Sequence, residues 1–318
     1  MKDLSNFTII IPCITFKDVK KSITNIRKVY NKTKIIVCLN KKVKNKNNKD
    51  KNLKLIYTHL KGIGAKRNLA VKSAKTKYLA FIDSDAYPSN GWLENSLKYL
   101  NKREIGIIAG PHMDPKIQNF SEDIVGQVKK SLIITMNPSL QKTNNLKPKI
   151  VSFMPSCNWI MSKKNFIKFG YMDSKMLRNE DWDFVYNRMN RKKNKLLYNP
   201  KSMIYHENAN IFHFIKKRFL YGYFMWPILR QINFKNFYFY LIFLFVLFLL
   251  SFPLNLYFED YKNFYLFILA LYTSTVIIET IRVSKNFFNT PLIFFILILA
   301  NISPGFGILA GLLNFNKE

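Results

Sequence analysis

Hydrophobic and polar positions follow two different periods over the first two hundred residues of the chain. Apolar runs that fit buried β-strands occur at residues 7–11, 34–39, 53–58, 78–83 and 105–110. Between several of these runs, apolar residues recur at helical spacing: Val19, Ile23, Ile26 and Tyr30, then Ala65, Leu69 and Ala74, then Leu93, Leu97 and Leu100. Strands that alternate with helices predict an α/β domain with a mostly parallel sheet and flanking helices. Such sheets bind ligands beyond the carboxyl ends of their strands.

The pattern changes in the last third of the chain, where three long apolar stretches cover residues 237–256, 264–281 and 291–313. Each approaches the roughly 20 residues that a helix needs to cross a bilayer. Buried helices of a soluble domain are the alternative, and they would need a large soluble shell around all three stretches. The third stretch is the weakest of the three candidates, because Pro304, Gly305 and Gly307 could break it into a re-entrant or interfacial piece. We therefore expect two or three transmembrane helices within residues 235–318.

The start of the chain, MKDLSNFTIIIP, passes directly into the first strand pattern without a small-residue cleavage site, so we expect no signal peptide. The three cysteines, Cys13, Cys38 and Cys157, lie far apart in apolar surroundings. They are expected to be small buried side chains, because an odd count without metal-ligand spacing indicates neither a disulfide framework nor a zinc site. Free thiols fit a reducing cytoplasm.

Charge is distributed as unevenly as hydropathy. The chain carries 50 Lys and Arg against 19 Asp and Glu, a formal net charge of +31. From residue 237 onward basic and acidic residues balance, so the excess belongs to residues 1–236. A basic domain joined to membrane helices indicates an anionic bilayer surface or phosphorylated substrates. A basic membrane-tethered nucleic-acid-binding protein would also explain the charge, but it lacks the aromatic-basic interleaving of a stacking groove.

Two local charge patterns refine this interpretation. Seven of the lysines lie in residues 41–54, and we interpret this run as a solvated loop rather than a dedicated binding patch. Arg282 and Lys285 lie between the second and third apolar stretches, whereas the first connecting loop is net negative. By the positive-inside bias, the basic loop and the large domain are expected in the cytoplasm.

Acidic residues occur at two places where a ligand site is expected. Asp83 and Asp85 stand at a strand exit, where carboxylates can present oxygens to a hard divalent cation. Asp and Ser also favour turns for their own hydrogen bonds. Glu180, Asp181 and Asp183 fall in the first turn of a predicted helix. Acids at this position also interact favourably with the helix dipole, so helix capping is the alternative to a ligand site.

Two further motifs carry basic or imidazole groups. Residues 62–68, GIGAKRN, lie between a strand and a helix, so that Gly64 permits close backbone approach and Arg67 can meet phosphate or ribose. An ordinary turn ahead of a helix with solvent-facing basic residues is the alternative. A strand-like run ends at His206, a residue type that is more often structural than a ligand when it occurs singly.

The order of these motifs resembles that of family 2 glycosyltransferases of the GT-A fold, over roughly residues 5–210. The matching pieces are a first strand ending in Pro12, the G-x-G-x-x-R-N motif, Asp-Ser-Asp, Asn-Glu-Asp-Trp-Asp-Phe, Tyr-Asn-Pro and Tyr-His-Glu. Bacterial members with C-terminal membrane spans are particularly similar. The resemblance implies a GT-A nucleotide-sugar-binding domain over 1–210, an amphipathic interfacial segment over 211–234 and a membrane region over 235–318. In the predicted interfacial segment, Lys216 and Lys217 lie opposite an apolar face, as expected for a helix in the headgroup layer of a membrane. A helix that packs within the protein is the alternative.

The same resemblance assigns roles to residues of this sequence. It implies that Asp181 is the catalytic base and that Glu180 positions the acceptor or the sugar. Asp83, Asp85 and His206 would hold Mg²⁺ or Mn²⁺ and the diphosphate, with Asp85 the more direct ligand. The donor-binding residues would be Pro12, Asn40, Gly64, Arg67 and Asp83.

Two departures from the family pattern concern the nucleotide. Where many relatives carry an aspartate after the second strand, this chain has Leu39 and Asn40, and an amide carries no charge. The acidic residue often found soon after Pro12 is also missing. These differences weaken any inference about which nucleotide is bound.

The sequence as a whole predicts a membrane-anchored, metal-dependent inverting glycosyltransferase. Its expected partners are a nucleotide-sugar donor, a lipid-linked or cell-surface glycan acceptor and the membrane, with no nucleic acid. The expected location is the inner (plasma) membrane, multi-pass, with a cytoplasmic catalytic domain. A polyprenyl-phosphate sugar synthase and a catalytically dead scaffold are the alternatives. The joint presence of Asp83, Asp85 and Asp181 argues against the scaffold.

Overall fold

A computed structural model of the chain describes residues 4–42, 50–135, 146–229 and 237–315. It divides into two compact units, one formed by Met1–Lys116 and Ser139–Glu207, the other by Ile117–Pro138 and Asn208–Glu318. The domain predicted over 1–210 thus contributes an internal segment to the second unit. Residues 43–49, half of the lysine-rich run, lie outside the described residues, as do residues 230–234 of the predicted interfacial segment and residues 235–236 of the predicted membrane region.

The first unit is built on a mostly parallel sheet of eight strands, ordered β3-β2-β1-β4-β9-β6-β10-β8. A smaller sheet has the order β5-β11-β7. The strands are β1 Phe7–Pro12, β2 Lys34–Leu39, β3 Leu53–Tyr57, β4 Tyr78–Ile82, β5 Ala86–Pro88, β6 Ile105–Ala109, β7 His112–Met113, β8 Lys149–Val151, β9 Asn158–Ser162, β10 Lys195–Tyr198 and β11 Ile204–His206. The helices of this unit are α1 Phe16–Val29, α2 Ile63–Ser73, α3 Leu97–Leu100, α5 Lys163–Lys168 and α6 Glu180–Asp183. A π-helical stretch, Phe184–Met189, follows α6.

Burial on both faces of the sheet explains the continuous apolar runs of the sequence. Ile9 and Ile11 of β1 join one hydrophobic cluster, while Ile10 joins the cluster on the opposite face. Successive side chains of a strand point to opposite faces, so a sheet covered by helices on both sides needs apolar residues at every position. The first five predicted strands and the parallel α/β fold are confirmed.

Strands β8 and β9 of the large sheet were not predicted from the sequence. Strand β9 runs antiparallel to both of its neighbours, β4 and β6. Its five residues, NWIMS, mix polar and apolar types and are too few to show a period. This strand matters for the site because it begins beside the point where β4 ends.

The second unit is helical, with α4 Phe120–Val128, α7 Ile211–Tyr223, α8 Trp226–Leu229, α9 Phe237–Leu250, α10 Glu259–Val283 and α11 Thr290–Phe315. Two stretches, Glu259–Val283 and Phe287–Asn314, are long and apolar enough to cross a membrane. The first predicted span is shorter, because α9 ends at Leu250 and a 3₁₀ turn covers Phe252–Leu256.

The third apolar stretch is one unbroken helix, since α11 continues through Pro304. Its glycines instead allow a close helix contact within the unit. A Cβ atom at Gly307 would overlap the backbone carbonyl of Phe219 in α7, and one at Gly311 would overlap that of Tyr223. Small residues commonly let two helix backbones approach in this way. The apolar face of α7 thus packs against α11. That α7 also lies in the headgroup layer of a membrane stays a prediction.

Candidate active site

Strand register brings three distant parts of the first unit together at the exit of β4. Ile82, the last residue of β4, is paired with Asn158 of β9, so Asp83 emerges beside Cys157. In the small sheet, His206 of β11 is paired with Ala86 of β5, which places it next to Asp85. Backbone pairing alone therefore gathers Asp83, Asp85, Cys157 and His206 beyond the carboxyl end of a central strand.

Arg67 lies at the centre of the polar contacts of this site. Its Nη2 atom donates to Asp83 Oδ1 at 2.8 Å, and its Nη1 atom donates to Glu180 Oε1 at 3.1 Å. Nη1 also donates to Ser156 Oγ at 2.6 Å. The residue is only 1% exposed, so its charge depends on these partners for stabilisation. One buried guanidinium thus joins carboxylates that are about a hundred residues apart in sequence.

Asp181 is fixed by hydrogen bonds at both carboxylate oxygens. The backbone N–H and the hydroxyl of Ser156 donate to Oδ2 at 3.1 Å each, and the N–H of Trp182 donates to Oδ1 at 2.9 Å. Asp181 lies in the short helix α6, which follows Asn179. The φ of Asn179 is 63°, in the left-handed region that asparagine tolerates better than most residues. Ser156 therefore contacts both Arg67 and the predicted base.

His206 faces both aspartates of the strand exit. Its Nε2 atom lies 3.5 Å from Asp85 Oδ1 and 3.8 Å from Asp83 Oδ2. Its Nδ1 atom lies 2.9 Å from the carbonyl oxygen of Glu207. Because a carbonyl only accepts, Nδ1 carries a proton, and Nε2 is the ring nitrogen that faces the aspartates. Two carboxylates and an imidazole are donors that fit a divalent cation such as Mn²⁺ or Mg²⁺.

Burial changes the proton affinity of two groups at this site. Glu180 is almost fully buried, and desolvation together with the negative charge of Asp181 raises its pKa to about 7, against the opposing effect of Arg67. Burial also raises the pKa of the Cys157 thiol well above its usual value. Glu180 therefore takes up a proton at a higher pH than an exposed glutamate does, and Cys157 is a protonated thiol in the absence of a metal ion.

The remaining predicted site residues lie at strand ends or inside the fold. Pro12 ends β1. Asn40 follows β2, and its side-chain amide donates to the carbonyl oxygens of Thr58 and Leu60, which leaves it outside the network of acids. Gly64 packs against an acid instead, because a Cβ atom there would lie 2.8 Å from Cγ of Glu180. Roles of these residues in donor binding stay predictions.

Sequence reasoning missed two residues of this site. Ser156 gave no signal, because a serine in the loop before an unrecognised strand is unremarkable by itself. Cys157 is buried as expected, but its sulfur lies within 4.8 Å of ligand atoms of Asp83 and His206. Recognition of β9 as the neighbour of β4 would have placed both residues beside Asp83.

Comparisons with known proteins match the same part of the chain. The sequence profile described as "Glycosyl transferase family 2" matches residues 8–170, about half of the chain. Two similar proteins, each named "Pre-mycofactocin glycosyltransferase", come from Mycobacterium tuberculosis strains CDC 1551 / Oshkosh and ATCC 25618 / H37Rv. Each is 26% identical over 173 residues, which is 53% of this chain but 35% of the relative. The match thus spans about a third of the length of these relatives.

Two solved structures are similar at low identity. "Crystal structure of GalNAc-T7 with UDP, GalNAc and Mn2+" aligns with a TM-score of 0.47 and 13% identity, over 65% of this chain and 44% of that one. "Crystal structure of S. aureus TarS 1-349" aligns with a TM-score of 0.42 and 13% identity, over 98% and 92% of the two chains. The profile match over half of the chain, together with the mostly parallel α/β sheet, shows that the chain belongs to glycosyl transferase family 2 and has the GT-A fold.

Proposed function

We propose that the protein is an inverting glycosyltransferase that moves a sugar from a nucleotide-sugar donor to a hydroxyl of a lipid-linked or cell-surface glycan acceptor. The observation that carries this proposal is the shared contact of Arg67 with Asp83, Glu180 and Ser156. Arg67 contacts Asp83, which is predicted to face the donor diphosphate, and Ser156, which donates to the predicted base. That base is Asp181, so both acids belong to one hydrogen-bonded network.

Asp181 is the proposed general base. Its carboxylate would take the proton of the acceptor hydroxyl while that oxygen forms a bond to the anomeric carbon of the donor. The bond between this carbon and the diphosphate oxygen would break on the opposite side, with the electron pair leaving on the nucleoside diphosphate. Hydrogen bonds from Ser156 and Trp182 hold the carboxylate in one orientation, as an in-line displacement requires.

Asp83, Asp85 and His206 are the proposed holders of the cation and the diphosphate. A divalent cation bound there would offset negative charge on the departing nucleotide. Arg67 is the positioning residue of this site, since it fixes one oxygen of Asp83 and leaves Oδ2 turned toward His206. Glu180 packs against Gly64 at 5% exposure and is proposed to act through Arg67 rather than by direct contact with the sugar.

A membrane location supports a lipid-linked acceptor. Helix α10 exposes large apolar side chains along its length, including Phe267 at 65%, Ile278 at 64% and Ile281 at 67%. Apolar exposure on this scale is costly in water and is typical of a helix surrounded by lipid. We therefore propose a multi-pass protein of the inner membrane with a cytoplasmic catalytic unit, whose acceptor stays in the bilayer.

The test is a donor screen followed by a transfer assay on the full-length protein in detergent. Purified protein would be scanned against a panel of nucleotide sugars with and without Mn²⁺, and a stabilised pair would appear as a rise in Tm. Release of nucleoside diphosphate would then be measured with extracted membrane lipids as acceptors. We expect one donor class to stabilise the protein in a metal-dependent way and to be turned over. Stabilisation by no nucleotide sugar, together with a salt-sensitive shift of DNA, would overturn the proposal in favour of nucleic-acid binding.

A further inference from the structure

We propose that Asp83, Cys157 and His206 form a three-ligand site for a divalent cation of the zinc class, with the sulfur of Cys157 as a direct ligand. The inference rests on the proposed function, because it assigns a further ligand to the same cation site. Binding of the cation by itself needs neither donor nor acceptor. The sequence pattern predicts no zinc site, since the three ligands are brought together by strand pairing and not by a spaced motif.

The geometry of the three ligand atoms carries the proposal. A carboxylate oxygen of Asp83, Sγ of Cys157 and a ring nitrogen of His206 all lie within 4.8 Å of one another. Ligand atoms around a tetrahedral zinc-class ion, at bond lengths of roughly 2.0–2.3 Å, lie roughly 3.3–3.8 Å apart. The three atoms therefore need to move inward by only about 1 Å to surround such an ion.

Each ligand is held in place by contacts outside the ion position. Oδ1 of Asp83 accepts a hydrogen bond from Nη2 of Arg67, and Nδ1 of His206 lies 2.9 Å from the carbonyl oxygen of Glu207. A metal-binding histidine usually has such a partner on its other nitrogen, which fixes the tautomer and the ring orientation. Cys157 sits in the backbone register opposite Asp83, one residue before β9 begins. The site is thus preorganised by strand pairing and by neighbouring hydrogen bonds.

The types of the three ligand atoms favour a different class of ion from the one that carboxylate oxygens alone would bind. Carboxylate and phosphate oxygens suit Mg²⁺ and Mn²⁺, whereas a set of one oxygen, one nitrogen and one sulfur suits Zn²⁺ and Co²⁺. On binding, the Cys157 thiol loses its proton to solvent and its sulfur bonds the ion. The fourth position would be completed by Asp85, whose Oδ1 atom lies 3.5 Å from His206 Nε2, or by an oxygen of the donor diphosphate.

The closing experiment uses Co²⁺ as a spectroscopic probe of sulfur ligation. Metal-free full-length protein in detergent would be titrated with Co²⁺ while near-ultraviolet absorbance is recorded, because a thiolate bound to Co²⁺ gives an intense charge-transfer band. We expect the band to saturate at one equivalent in the wild type. Cys157→Ser should lose it. Cys38→Ser is the matched control and should keep it, since Cys38 is also buried and, among the described residues, belongs to no such cluster.

Other variants keep the proposal open to refutation if Cys157→Ser does not fold. The double variant Cys13→Ser/Cys38→Ser retains Cys157 as its single cysteine and should show the full band. His206→Asn should weaken Co²⁺ affinity by roughly tenfold or more. A wild type without the band, or a band that disappears with Cys38 instead of Cys157, would overturn the proposal. If the protein shows the sulfur band but turns over no nucleotide sugar, the cation site is supported and only the proposed function is rejected.

Discussion

Each of the two units holds an ionic cluster around one buried charge, Arg67 in the first unit and Glu279 in the second, and the two clusters differ in how their charges balance. In the first unit, one guanidinium, that of Arg67, is shared by the carboxylates of Asp83 and Glu180. In the second unit, Glu279 is paired with one cation, Arg282, and its Oε2 atom accepts from the Ser131 hydroxyl and the Leu132 N–H at 2.6 and 2.7 Å. The first cluster has more acid than base, whereas the second is balanced.

This difference separates a ligand site from a structural connection. Buried charges are stable only when they are paired and hydrogen-bonded. The balanced cluster meets that condition within the protein, so it fixes the segment around Ser131 to helix α10. The acidic cluster does not, because Asp85 and Asp181 add further negative charge around the same site, and a bound cation would complete the compensation. Excess charge of one sign in a partly buried cluster therefore indicates where a ligand belongs.

Asp181→Asn should have a greater effect on activity than any other substitution in the acidic cluster. Removal of the proposed base is expected to slow sugar transfer by roughly 10²–10⁴-fold, while the Tm rise given by the nucleotide sugar persists. Initial rates of nucleoside diphosphate release at saturating donor and acceptor would measure the loss. Asp173→Asn, which removes a partly exposed carboxylate 3.7 Å from Arg188, is the matched control and should retain activity. Equal rates in Asp181→Asn and wild type would reject the assigned base.

Arg67→Met should cost the first unit about 3–5 kcal/mol of unfolding free energy, because it leaves the buried Glu180 and the partly buried Asp83 without their cation. Denaturant unfolding of the purified protein would measure the change. Lys72→Met alters an exposed cation on the same helix, α2, and is expected to stay within about 0.5 kcal/mol of the wild type. If the two variants were equally stable, Arg67 would contribute no more than a surface cation does.

The sequence predicted the acids of the first cluster better than the contacts among them. Asp83 and Asp85 stand out because an apolar strand pattern ends at them, and Glu180 and Asp181 because they open a helix. Arg67 was assigned to the nucleotide, yet it is buried against acids, a contact that depends on how α2 packs against distant residues. Ser156 and Cys157 were missed because their position depends on β9, a strand too short to show a period.

The second cluster could not be inferred from sequence at all. Glu279 and Arg282 appear in the sequence as two charges near the end of an apolar helix, where a membrane interface explains both. Their contact with Ser131 and with the carbonyl oxygen of Lys130 joins residues about 150 positions apart. Only the folded second unit shows that an internal segment of the predicted catalytic domain packs with the C-terminal helices.

The pH dependence of stability should report the burial of Glu180 and the negative charge of Asp181 beside it. Because the folded-state pKa of Glu180 is raised to about 7 from 4.5, the unfolded chain releases this proton at a lower pH than the folded protein does. Stability contributed by protonated Glu180 is therefore present below about pH 4.5 and is lost as the pH rises to about 7, by at most about 3 kcal/mol. Glu180→Gln should remove this decline, which Tm measured across the pH range would show. A decline of the same size in the variant would assign it to another group.

Glu279→Gln should have a milder effect on the second unit, because the amide oxygen can still accept from Ser131 and Leu132 while the charge pair with Arg282 is lost. We expect a loss of about 1–2 kcal/mol in unfolding free energy, measured by denaturant titration in detergent. Glu259→Gln is the control on the same helix, since Glu259 pairs with Lys262 at the exposed start of α10 and such pairs contribute little. Equal effects of the two substitutions would mean that the balanced cluster is no stronger than a surface pair. A loss of sugar transfer in Glu279→Gln at unchanged stability would instead give this second cluster a role in function, and charge balance would then not separate a ligand site from a structural connection.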